Sequence, residues 1–287
     1  MSSLMIDFCG TKLNRTEGNL LLAAREPKRE TTRLIVDRLW SVSDATADGY
    51  ETHLPSGRVQ IIFSLSGIPL REHDPGDPQG APRRGPLHLF QGPTTLPRRI
   101  WRKPQVLACG ASLQPGGAGA LFGPINGTTD RAIDLARFWG VDAARLREEL
   151  RHLKTHEARL QRLETEIEQR IGDVSAARVL ARAMERLRAG LAIRDVCREL
   201  ELSPHMFRKL FVRNVGMTPK HYLKIERFRT AITRLTPVVS LSVLAFDADY
   251  SDQSHMTREV KHFASMTPAH LRTRIRPYAG HVWDPRR

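Results

Sequence analysis

The stretch IRDVCRELELSPHMFRKLFVRNVGMTPKHYL, residues 193–223, decides how the chain is read. Ile193, Val196, Cys197 and Leu200 recur at three- and four-residue spacing, the signature of a short helix with one apolar face. Glu201 and Leu202 form a tight connection. Ser203-Pro204 then supplies a capping hydroxyl followed by a proline at the first helical position, where its missing N–H costs nothing. In the helix that follows, Met206, Phe207, Leu210 and Phe211 are expected to bury one face, leaving His205, Arg208, Lys209 and Val212 outward. Two short helices joined by a tight turn, the second with a basic outer face, read as a helix-turn-helix whose second helix enters a major groove. Taken alone, the same pattern also suits a helical bundle with a solvated polar face.

The pattern does not stand alone. Gly216-Met217-Thr218-Pro219 is echoed by Ser265-Met266-Thr267-Pro268 at an offset of 49 residues, and the same offset carries Ser203 onto Asp252. The second copy contains YSDQSHMTREVKHFASMTPAHLR, residues 250–272. There Asp252 caps a helix that buries Met256, Val260 and Phe263 and turns Gln253, Ser254, Thr257, Arg258 and Lys261 outward. Between the copies, a helix from about Lys220 to Leu235 carries Tyr222, Ile225, Phe228, Ile232 and Leu235 on one side. Its roughly 16 residues span about 24 Å, which suits two reading helices set into successive major grooves of one duplex. The helix terminus at Ser203 also directs N–H groups toward phosphate.

Charge agrees with this placement. Of the net +14 on 287 residues, the segment 174–287 carries +11, from 21 basic and 10 acidic side chains. A surplus of this size calls for a polyanion or an anionic surface as partner. No apolar run approaches the roughly 20 residues that span a bilayer, and the N-terminus lacks the order of a secretory signal. A cytoplasmic protein without a membrane partner is expected.

Ahead of the helical region, RLIVDRLW (33–40), RVQIIFSLSG (58–67) and PQVLACGASL (104–113) have the composition of strands, and the Pro/Gly-dense 71–86 that of a surface loop. From Asp142 to Ile171 the composition turns helical, with Leu160, Leu163, Ile167 and Ile171 forming a stripe that fits either an intrachain core or a second subunit. The fold expected is α+β. A mixed β-rich domain over 1–154, for sensing or assembly, and a helical linker over 155–173 precede an all-α DNA-binding domain over 174–275, whose two helix-turn-helix units share a central helix. A basic tail covers 276–287.

These C-terminal residues resemble the AraC/XylS family of bacterial transcription regulators over about Ala176 to Arg274. The resemblance implies a sequence-specific DNA-binding regulator without catalytic chemistry. Its first reading helix falls on Ser203 to Val212, implying base or phosphate contacts from Ser203, His205, Arg208 and Lys209. Its second falls on Asp252 to Phe263, implying contacts from Gln253, Ser254, Thr257, Arg258 and Lys261. Asp249 stands in place of a turn glycine, Met256 and Val260 where Phe is common, and Ser265 in place of Gly. Trp40, LPSGRVQIIFSLSG (54–67) and GASLQPGGAGALFGPINGTTDRAIDLARFWG (110–140) are similar to a sensor-like domain found ahead of this DNA-binding domain in one subgroup. Duplex DNA is the implied partner. A small-molecule effector, RNA polymerase and a second copy of the chain are further candidates, and Trp40, Phe63, Trp101 and Trp139 are candidate pocket residues.

Other chemistry finds few carriers. The three cysteines, Cys9, Cys109 and Cys197, form no metal-binding spacing. No cofactor motif is present, and no metal site is expected from His152 and His156, four residues apart without a third ligand. A DNA-repair methyltransferase on the same scaffold is the alternative, with Cys9 or Cys109 as nucleophile; Cys197 reads as a small buried side chain.

Overall fold

The computed structural model describes residues 14–15, 20–44, 49–73, 80–102, 106–274 and 280–285. The first part of the chain runs β1 (Asn14–Arg15), β2 (Leu20–Arg25), α1 (Glu30–Ile35), β3 (Val36–Asp44), β4 (Gly49–His53), β5 (Gln60–Ser64) and β6 (Arg71–Glu72). It continues through β7 (Arg83–Arg84), β8 (His88–Gln91), β9 (Arg98–Arg102), β10 (Val106–Leu113), α2 (Gly117–Phe122), β11 (Ala132–Asp134) and α3 (Ala136–Trp139). Next come α4 (Val141–His152), α5 (His156–Gln169), α6 (Ser175–Arg188), α7 (Ile193–Glu199), α8 (Pro204–Val215) and α9 (Pro219–Arg234). The chain finishes with α10 (Leu241–Asp247), α11 (Gln253–Ala264), α12 (Pro268–Arg272) and β12 (His281–Pro285). A β-rich part followed by a helical part is the α+β arrangement expected from the sequence. Among the described residues, no helix is long and apolar enough to cross a membrane.

Two antiparallel sheets form the first part, ordered β1-β2-β3-β10-β5-β8-β11 and β12-β4-β9-β6-β7. In the first sheet, Leu39, Ile61, Phe63, Cys109 and Ala111 line one face at period two and are fully buried. The helix α5 covers this face, and its Leu160, Leu163 and Ile167 join the same core. His156 Nδ1 meets Ser41 Oγ at 2.8 Å, and the Arg159 guanidinium donates to the carbonyls of Leu150 and Leu153.

Several sequence expectations change here. The segment 155–173, expected as a helical linker, contains α5, whose Leu160, Leu163 and Ile167 pack in the β-rich core. The segment Asp142 to Ile171, expected to be helical, holds parts of two helices, because the chain turns at Leu153–Thr155 and the Thr155 hydroxyl caps α5 by accepting from Ala158 N–H. His152 and His156 therefore belong to different helices, and His152 pairs with Glu148 instead. Arg33–Ile35 lie in α1, so the strand starts at Val36. Within the expected loop 71–86, β6 and β7 form a short ladder, and residues 74–79 lie outside the described ones.

The expected tail also departs from expectation. Its residues 281–285 form β12, which pairs antiparallel with β4 and places His281 opposite His53 and Trp283 opposite Glu51. Val282 joins the core of the helical part, as does Leu54 at the end of β4. Glu51 is buried between two imidazoles, 3.1 Å from His53 Nε2 and 2.9 Å from His281 Nδ1. Burial works to raise its carboxyl, but the two imidazoles outweigh it and hold the group well below the usual carboxylate range. Burial, aided by His281, pushes the His53 imidazole down to about 4.

Candidate nucleic-acid interface

The two reading helices are built from the same local chemistry. Each has 12 residues, α8 starting at Pro204 and α11 at Gln253. Ser203 Oγ accepts from Met206 N–H at 3.2 Å, and Asp252 Oδ1 accepts from His255 N–H at 2.7 Å. The latter bond holds the Asp252 carboxyl below its usual range, keeping a negative charge at the positive end of α11. Downstream, Thr218 accepts from His221 N–H and Thr267 from His270 N–H, so the repeated Met-Thr-Pro starts the next helix in both copies.

The turns before the reading helices repeat as well. Glu201 and Asp249 both sit in the left-handed region, with φ of 54° and 57°. In the first turn, Glu201 N–H donates to Arg198 O and Leu202 N–H to Cys197 O; in the second, Asp249 N–H donates to Phe246 O and Tyr250 N–H to Ala245 O. This is the helix stop in which a left-handed residue satisfies the last free carbonyls. The sequence flagged Asp249 alone, whereas Glu201 carries the same strain. Replacing Asp249 with Gly should stabilise the chain by about 1 kcal/mol, a rise of about 2–4 °C in Tm. Calorimetry showing no gain for either D249G or E201G would refute strain at these turns.

Behind the reading faces lies a shared core. Phe207 and Phe211 are fully buried and meet edge-on with centroids 5.8 Å apart, and Phe211 meets Tyr222 in the same way at 5.7 Å. Met256, Val260 and Phe263 are buried under α11, with Phe263 5.2 Å from Phe228 of α9. Arg227 of α9 holds buried Glu259 of α11 through bonds of 2.8–3.1 Å and lies 4.6 Å over the Tyr250 ring. Sequence reading missed this pair, since a helical pattern shows that Glu259 faces inward but not what meets it.

On the outer faces, Ser203, His205, Arg208, Lys209, Gln253, Ser254, Arg258 and Lys261 are exposed, and Thr257 is half-buried. Met206 corrects one expectation. It is 57% exposed rather than part of the buried face, because at the third helical position, in the first turn, it looks out beside His205. Among the described residues, no carboxylate holds Arg208, Lys209, Arg258 or Lys261 in an ion pair, whereas Arg186, Arg198 and Arg227 are held by Glu199, Asp195 and Glu259. The cations left available to an external anion thus include those of both reading faces.

The first unit is also gripped by the β-rich part. A Cβ on Gly119 of α2 would lie 2.0 Å from Asn214 Oδ1, so only glycine permits this approach to α8. Ile125 N–H donates to Arg213 O at 2.9 Å, and Thr129 Oγ1 donates to Gly216 O at 2.8 Å. Gly57 packs on Tyr222 and Ile225. The candidate aromatic pocket does not assemble as a single cluster. Phe63 and Trp139 meet in the core at 6.4 Å, Trp40 lies over Gly110 across the ladder, and Trp101 sits on the second sheet beneath Arg71. Cys109 is sealed in the core, where burial pushes its thiol up to about 12, so it is no nucleophile. Cys197 is buried as expected, and Cys9 lies outside the described residues.

Comparison with known proteins gives one match in sequence and several loose ones in structure. No curated protein matches the chain. Crystal structures of ToxT from Vibrio cholerae align over most of both chains. One at 9% identity covers 88% of this chain and 97% of that chain with a TM-score of 0.39. An unsaturated fatty acid-bound ToxT is 11% identical, covering 90% and 97% with a TM-score of 0.37. Scores this low mark a loose likeness. The family described as "Helix-turn-helix domain" matches residues 196–274, which span both capped units and the helix between them.

Proposed function

We propose that the chain is a sequence-specific, DNA-binding transcription regulator of the AraC/XylS type, located in the cytoplasm, that reads two adjacent major-groove segments of one duplex. The observation that carries this reading is the duplicated capped helix, each copy with a buried aromatic or aliphatic back and an exposed front that includes basic side chains. In the first copy His205, Arg208 and Lys209 are the contacts, with Ser203 at the helix start directing N–H groups toward a phosphate. In the second, Gln253, Ser254, Thr257 and Arg258 face bases, and Lys261 faces the backbone.

The division of labour follows the chain. The β-rich part, together with α4 and α5, positions the first reading unit and takes the role of sensor or assembly domain, while the region from 174 onward binds DNA. An effector for the first part and contact with RNA polymerase belong to the same reading. Methyl transfer to Cys109 has no support in its surroundings.

Selection of bound sequences from a random duplex pool by the full chain tests this. The wild type should enrich two half-sites about one helical turn apart. Arg208→Ala should relax preference in one half-site and Arg258→Ala in the other, each by roughly 10-fold or more per base pair read. Uniformly weaker binding without changed preference would reassign both arginines to phosphates, and an unenriched pool would reject the reading.

A further inference from the structure

The pairing of β12 with β4 brings together three side chains with metal-ligating atoms from opposite ends of the chain. Glu51 and His53 are two apart on one strand and so share a face, and His281 stands directly opposite His53. One ligand atom from each of Glu51, His53 and His281 lies within 4.8 Å of the other two, and the Glu51 carboxylate meets both His53 Nε2 and His281 Nδ1. The two imidazole rings lie 4.0 Å apart, tilted by 34°. We propose that Glu51, His53 and His281 form a binding site for a divalent transition-metal ion of the zinc class, which pins the C-terminal strand to the N-terminal domain.

The donor set selects the ion. Two imidazoles and one carboxylate suit zinc, cobalt or nickel, while calcium and magnesium require mostly oxygen ligands. Bonds of about 2.0–2.1 Å in a tetrahedral centre put ligand atoms about 3.4 Å apart. Glu51 already lies 3.1 and 2.9 Å from the two imidazole nitrogens, close to that value, so small side-chain adjustments suffice and the strand ladder holds the backbone still. The ion would replace the hydrogen-bonding protons between the imidazoles and the carboxylate, leaving a fourth position for water. Glu51 is 3% exposed, which shields its charge from solvent and strengthens its attraction for a cation. Arg98, opposite His53 on β9, is held by Glu72 through two bonds of 2.5 Å. His281 follows the last helix of the DNA-binding domain by a short connection, so an ion here fastens that domain at its C-terminal end as well.

The test uses tag-free, full-length protein stripped with a chelator, then titrated with Co²⁺ followed by visible absorption, and with Zn²⁺ in competition. One equivalent should bind. His281→Ala and His53→Ala should each weaken binding at least tenfold, while His152→Ala, which removes an exposed histidine elsewhere, should leave it unchanged. Zn²⁺ should slow removal of the C-terminal residues by carboxypeptidase Y, a serine enzyme, at least fivefold in the wild type. Glu51→Gln preserves the shape and hydrogen-bonding capacity of the buried side chain; it should resist digestion in the absence of metal as the wild type does, but lose the response to Zn²⁺. No saturable binding at one equivalent, equal affinity in wild type and H281A, or an undiminished zinc response in E51Q would overturn the site and leave a hydrogen-bonded triad only.

Discussion

Replacing Arg227 with Ala should cost about 3 kcal/mol in urea unfolding, roughly a 150-fold change in the folding equilibrium constant. The loss follows from what Arg227 touches. Its guanidinium meets both oxygens of Glu259, whose side chain is only 8% exposed, and covers the Tyr250 ring. Removing the cation leaves a buried carboxylate without its partner, which costs more than the intact pair contributes. The damage should concentrate in the second reading unit, because α11 loses its polar tie to α9 while Phe207, Phe211 and Tyr222 still hold the first. A two-site duplex should then be bound about as weakly as a single half-site. Replacing both Arg227 and Glu259 with Met should recover most of the stability. A loss below 1 kcal/mol in R227A, or a double variant no better than the single, would refute the role assigned to the pair.

Salt provides the second large effect. If Lys209, Lys261 and two further basic side chains of the domain each neutralise one phosphate, the affinity for a selected duplex should fall with a slope of about −3.6 in a log–log plot. Between 50 and 200 mM salt this amounts to about 150-fold. Other basic groups of the domain that reach the backbone steepen the slope. Removing a phosphate-holding lysine such as Lys261 should flatten it by about one, with little change in which sequence is preferred. Fluorescence anisotropy at four salt concentrations measures this directly. A slope near zero is incompatible with the proposed interface.

The helical part was legible in the sequence because its information is local. Caps, proline positions and three- and four-residue spacing fixed α7 to α9, and an exact 49-residue offset carried the same assignment to the second copy. Exposure of most proposed contact residues followed from the same periodicity. Met206 misled because apolar character was taken as burial at the first turn of α8, where the chain has not yet met the core. The β-rich part was legible only in pieces, since strand pairing joins residues far apart. Nothing local announces that Val106–Leu113 lies between β3 and β5, or that residues 281–285 return to pair with β4.

One clue to the contact between the two parts was nevertheless present in the repeat. The offset that places Phe263 in the second copy places Asn214 in the first, and both are buried. In the second copy the position fills an aromatic core. In the first, Asn214 donates to Leu210 O at 2.8 Å and faces Gly119 across the junction. A polar residue at a core position of a duplicated unit thus marked the place where another surface arrives.

That asymmetry has a mechanical consequence. Ile125 N–H and Thr129 Oγ1 of the 123–131 segment donate to Arg213 O and Gly216 O of the first unit and α2 packs on α8, while the second unit follows α9 and is joined to the β-rich part through β12. A rearrangement around α2 and the 123–131 segment therefore acts first on one finger of a two-fingered hand. Such a hand changes its span rather than its grip: promoters whose two half-sites differ in spacing by a single base pair should diverge in their response, even when the bases themselves are identical.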